Sequence, residues 1–215
     1  MHHAREFMDT DSFRKLHADV VSGKCRVSNG YKNATLLREF FADSTEDWQK
    51  FVEHIRGKSC LDIGPCVMSP LAGWDVAGQR HVVEPLYPQI HEWQIKHLGA
   101  SVFEGLVCHG QAAEQGIKEL YGTIDGAILC RNMLDHTPQW PFVLQQISAY
   151  SAVGCRLLLW TDLHHHGTED IGHYDITSDV DAFKRLVSQF GFRILRDWQD
   201  EERADTNWGC FAIRE

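Results

Sequence analysis

Positive charge is sparse in this sequence and nowhere gathered. Lysine and arginine total 21 against 30 acids, a formal net charge of −9, and they form no stripe. Affinity for a nucleic-acid backbone rests on neutralising phosphates, so direct nucleic-acid binding is not expected; a nucleoside-sized substrate stays open. Apolar runs are short. None is long enough to span a bilayer and none forms a signal peptide, so no membrane partner is expected. The seven cysteines include no C-x-x-C pair and are odd in number. With no such pairing pattern the chain reads as reduced and cytoplasmic. At 215 residues the chain can bury a core of its own, as a monomer or a homodimer.

What is present is organised around Lys58 to Gly64, read Lys-Ser-Cys-Leu-Asp-Ile-Gly. The apolar run is too short for a helix, and its ending at Gly64-Pro65 suits a buried strand entering a tight turn. Glu84 closes the next run, His81-Val82-Val83, 22 residues after Asp62. Strand, turn, short helix, strand and terminal acid is the plan of a nucleoside site in a doubly wound sheet, with the acid on the ribose hydroxyls. Glycine is missing where a dinucleotide would need it. A pyrophosphate turn is G-x-G-x-x-G, whereas Gly64-Pro65-Cys66-Val67-Met68-Ser69 has cysteine and serine at the later glycine positions. Pro65 removes an amide donor as well. S-adenosylmethionine (SAM) carries adenine and ribose without phosphate and tolerates those changes.

Residues 1–57 are expected to form an N-terminal helical segment, and residues 58–215 a single α/β unit. Phe13, Leu16, Val20 and Val21 share one helical face; Leu36, Leu37, Phe40 and Phe41 share a second. Trp48, Phe51, Val52 and Ile55 give a third, started by Ser44 or Thr45 and stopped by Gly57. Beyond strand one, Ser69-Pro70 opens a short helix. Pro88 opens another, with Ile90, Trp93, His97 and Leu98 inward. Residues 100–103 are expected as a third strand, Ile124 to Cys130 as a fourth and Arg156 to Trp160 as a fifth. Phe192 to Trp198 and Trp208 to Ile213 are two more, joined by only nine residues. A parallel crossover needs a dozen or more, so this pair is a hairpin and the last strand is antiparallel.

In motif order, residues 58–215 resemble the class I SAM-dependent methyltransferases. Asp62-Ile63-Gly64 matches the start of their first motif, whose later glycines are absent here, and Glu84-Pro85 matches the second. The resemblance implies a doubly wound, mostly parallel sheet with an antiparallel C-terminal strand. It implies transfer of a methyl group from SAM to an oxygen or nitrogen of a small-molecule acceptor, with S-adenosylhomocysteine (SAH) as product. Glu84 would hold the ribose, with Pro85 beside it. Asp62 would serve the amino-acid end, and Gly64 and Pro65 would form the turn. Gln111 and Ala112 would meet the adenine. Arg131 and Asn132, after strand four, would line the cleft, and Tyr31 would reach in from an N-terminal lid. The alternatives are an oxidoreductase using NAD or NADP and a non-catalytic nucleotide- or SAM-binding protein.

An acceptor hydroxyl gains from a base, and imidazole titrates near neutrality. His136 is the first candidate, because its loop leaves strand four beside the expected methyl position. His164 and His166 follow. The run His164-His165-His166 with His173, Asp162 and Asp170 invites a metal reading. Adjacent histidines on a strand face opposite ways, and no helical H-x-x-x-H exists, so no metal is expected.

Overall fold

The computed structural model describes residues 36–66, 68–99, 101–164, 173–199 and 207–215. The expected helix around Phe13 to Val21, and Tyr31, His165 and His166, lie outside the described residues.

A helical turn at 36–41 precedes helix α1, Thr45–Ile55. Ser44 caps α1, its hydroxyl accepting from the Asp47 N–H at 3.2 Å. Strand β1 (Cys60–Ile63) and strand β2 (Arg80–Val83) follow, then helix α2 (Tyr87–Leu98), strand β3 (Val107–His109) and strand β4 (Ala127–Arg131). Helix α3 (Trp140–Tyr150), strand β5 (Arg156–Asp162) and helix α4 (Val180–Gln189) come next. Strands β6 (Phe192–Trp198) and β7 (Asn207–Arg214) end the chain.

The seven strands form one sheet in the order β3-β2-β1-β4-β5-β7-β6. Strands β1 to β5 run parallel, and β7 enters antiparallel between β5 and β6. Alternation along the strands makes two apolar faces. Ile63, Ile128 and Leu157 pack with Val143, Ile147, Phe183 and Trp208 on one. Leu129 and Leu158 pack with Phe40, Phe41, Phe51 and Ile55 on the other. Phe51 and Ile55 are the α1 residues that reach the core, each contributing roughly 1.5–3 kcal/mol by burial. No helix among the described residues is long and apolar enough to cross a membrane. The described cysteines are all free.

Two local expectations change, the place of the third strand and the inward face of α2. The third strand lies at Val107–His109, not at 100–103. Ser101 sets a turn instead: its hydroxyl accepts from the Phe103 N–H, and the Gln94 side chain accepts from Val102 N–H. Phe103 is buried as the apolar anchor of that turn, against Val82 and Ile90. The Ser69-Pro70 signal opens a short 3-10 helix, Pro70–Gly73, capped by Ser69. In α2, His97 is exposed rather than inward.

Candidate active site

The carboxyl ends of β1, β2, β4 and β5 bring the site residues to one edge of the sheet. At the tip of β1, Asp62 is 3% exposed, and its Oδ2 accepts from the Ser69 hydroxyl at 2.6 Å. The same hydroxyl accepts from Leu71 N–H, so the acid is tied to the start of the 3-10 helix. Gly64 takes a left-handed φ of +65°. A side chain there would meet the loop after β4, with a Cβ only 2.3 Å from Met133 Cγ. Gly64→Ala is therefore expected to lower stability by about 1–3 kcal/mol through backbone strain alone. An unchanged denaturation midpoint would show that the turn tolerates a β-carbon.

Glu84, just beyond β2, is 4% exposed. Its Oε2 accepts from Cys66 N–H at 2.8 Å and its Oε1 from Leu86 N–H at 3.0 Å. Burial pushes its carboxyl up to about 7; the nearby Asp62 adds to the rise, and the two amide donors oppose it. Each oxygen has one amide partner and keeps acceptor capacity for a further donor. Pro85 follows directly. Two further amides of the turn are committed: Gly64 N–H goes to Val83 O and Met68 N–H to Pro65 O.

Gln111 and Ala112 lie after β3, and Gln111 Nε2 donates to Gly116 O at 2.9 Å. After β4, Asn132 takes a left-handed φ of +49°, and its N–H bonds Trp160 O on β5. Arg131 does not turn its charge to the cleft. Its Nη2 meets Glu39 Oε2 at 2.8 Å and fastens the 36–41 helical turn to the end of β4.

The loop after β4 carries a constellation that sequence spacing does not reveal. Asp135 is fully buried. Its Oδ1 accepts from the Thr161 hydroxyl at 3.2 Å, and its Oδ2 lies 2.8 Å from His173 Nδ1. Its backbone carbonyl takes Tyr174 N–H, which pins the returning chain against the loop. His136 packs on His173 with ring centroids 4.2 Å apart, its Nε2 3.9 Å from Asp135 Oδ2. Asp135, His136 and His173 have donor atoms within 4.8 Å of one another, the described group whose chemistry would suit a divalent ion. His164 stands apart, its Nδ1 3.1 Å from Asp175 Oδ1. Asp135 and His173 are 38 positions apart, so no local motif links them.

The architecture is that of the class I SAM-dependent methyltransferases. Among solved structures, the chain is similar to magnesium protoporphyrin IX methyltransferase from Synechocystis PCC 6803 with bound SAM. The TM-score is 0.59 at 16% identity, covering 98% of this chain and 95% of that one. It is similar to the N-methyltransferase NodS of Bradyrhizobium japonicum in complex with SAH, with TM-score 0.58, 11% identity and coverage of 89% and 92%. It is also similar to a cyclase, SpnF, with TM-score 0.58, 12% identity and coverage of 77% and 78%. Identities this low establish the fold alone. No protein-family model matches the chain, and no curated protein matches it in sequence.

Proposed function

We propose that the protein is a SAM-dependent methyltransferase that moves a methyl group to an oxygen or nitrogen of a small-molecule acceptor. The observation that carries this reading is the state of the turn after β1. Pro65 has no N–H, and the amides of Gly64, Cys66 and Met68 already serve Val83, Glu84 and Pro65. A pyrophosphate could not use those three amides, and only a four-residue 3-10 helix follows instead of a long helix N-terminus. That arrangement disfavours NAD or NADP and leaves intact what a phosphate-free nucleoside needs.

The donor set fits such a nucleoside. Glu84 is the ribose acceptor, fixed by two backbone amides. Asp62 serves the amino-acid end, held by Ser69. Gln111 and Ala112 border the adenine, and Gly64, Pro65, Pro85 and Asn132 shape the walls. Of the N-terminal segment proposed as the cap, the described helical turn at 36–41 is tied to the end of β4 by the Glu39–Arg131 pair. The donor supplies an activated methyl, whose carbon–sulfur bond breaks as the carbon–oxygen or carbon–nitrogen bond to the acceptor forms.

His173 is the base. Asp135 accepts from its Nδ1, which puts the basic lone pair on Nε2, the atom that takes the acceptor's proton. His136 packs on that imidazole and orients it. The buried Asp135–His173 pair also favours an enzyme over a passive binder, since an oriented acid–imidazole pair serves proton transfer. Incubation with labelled SAM and a library of small hydroxyl and amine compounds is expected to release SAH only where an acceptor is present. SAM binding without acceptor-dependent release across the library would move the protein to the binding class.

A further inference from the structure

A cavity of about 400 Å³ opens on the α1 face of the sheet, between α1 and strands β5, β6 and β7. Its apolar lining is aromatic: Phe40, Phe41, Phe51 and Phe211. Its polar lining is cationic. Arg156 and Arg196 border it, with Lys50 and Asp47 at the rim. Lys50 is 2.6 Å from Glu46 and 3.8 Å from Asp47, so it is already neutralised. His54 also borders the cavity, but its Nε2 contacts Gly126 O, and burial with the cations Lys58 and Arg156 keeps its pKa below the ordinary imidazole value.

The two arginines differ from Lys50. Neither has a carboxylate partner among the described residues. Arg156 Nη1 is buried with no hydrogen-bond partner. Arg196 has its guanidinium 5.9 Å from the Trp198 ring centroid, a contact that leaves its N–H groups available. A half-buried guanidinium without a counter-charge is unfavourable unless something else supplies the acceptor. In a chain of formal net charge −9, two such groups beside one cavity form a local reversal of sign.

We propose that this cavity binds a planar aromatic monoanion, a ring with a carboxylate, as a second ligand site separate from the methyl-transfer cleft. The carboxylate matches the planar donor fork of Arg156, with Arg196 closing on the other oxygen. The ring lies over Phe211, with the edges of the buried Phe40, Phe41 and Phe51 behind it. The volume is in the range of small-molecule sites. Arg156 opens β5 and Asp162 closes it, so the Arg156 end of the cavity lies roughly 20 Å from the carboxyl edge, from the rise of an extended strand. The proposal does not depend on the methyltransferase reading.

Calorimetry on the full chain with 2-naphthoate and its neutral analogue 2-naphthamide tests it. Naphthoate is expected to bind at least tenfold more tightly than naphthamide. Arg156→Gln is expected to weaken naphthoate at least tenfold and Arg196→Gln several-fold, while saturating SAH leaves its affinity unchanged. Absence of saturable naphthoate binding overturns the proposal, and so does equal affinity for the amide. Competition with SAH also overturns it, because it puts the ring in the cofactor cleft. If Arg156→Gln does not fold, the carboxylate–amide comparison and Arg196→Gln still decide, and wild-type affinity in Arg196→Gln counts against the site.

Discussion

Alanine in place of His173 is expected to lower turnover by about 10²–10⁴-fold, the range for a general base, while SAH affinity changes little. The expectation rests on Asp135, a fully buried acid whose Oδ2 lies 2.8 Å from His173 Nδ1. That contact selects the tautomer with the proton on Nδ1 and the basic lone pair on Nε2. Asp135→Asn keeps the volume but offers an amide where the imidazole needs an acceptor, so it should also cut turnover without reaching the cofactor. His136→Ala should do less, because His136 meets Asp135 only at 3.9 Å. Steady-state kinetics beside SAH calorimetry separate these roles. A His136 variant that loses more turnover than the His173 variant would return the base to His136.

Glu84→Ala is expected to weaken SAM by about 1.5–3 kcal/mol, or about 10- to 150-fold, the loss for charge-assisted hydrogen bonds to two ribose hydroxyls. It also strips Cys66 N–H and Leu86 N–H of their acceptor, so Glu84→Gln is the cleaner variant. The pH dependence has a definite sign. Burial holds the carboxyl at about 7, above its ordinary 4.5, so the folded free protein binds a proton that the unfolded chain releases. Stability contributed by the neutral acid is therefore lost as pH rises from the ordinary range through about 7. Ribose hydroxyls donate to the ionised form, so SAM affinity rises with pH up to about 7 and levels above it. Well below that point the slope approaches about tenfold per pH unit. Calorimetry across that range should give a flat profile for Glu84→Gln; a wild-type profile equally flat would separate Glu84 from the cofactor.

The sheet was legible because its strands are short apolar runs with acids or glycines at their ends. Asp62, Glu84 and the loop after β4 fall in order along the chain, and the eight-residue link between β6 and β7 forces the antiparallel ending. Residues 100–103 misled because Phe103 is an apolar residue buried by a turn, and burial alone does not distinguish a turn from a strand. Arg131 misled for another reason. Its partner Glu39 lies 92 positions away, and only the packed helix brings them together. His173 stood in the sequence as one of several loop histidines. What sets it apart is Asp135, and only the return of the chain from β5 to the loop after β4 makes that pair.

The central claim is that the cleft takes a phosphate-free adenosyl ligand. It is tested most directly by calorimetry of the purified chain against SAM, SAH, NAD and NADP. Saturable, near-stoichiometric binding of SAM and SAH, with no heat from either dinucleotide, is the predicted result. Tight binding of NAD or NADP with no response to SAM or SAH would contradict it.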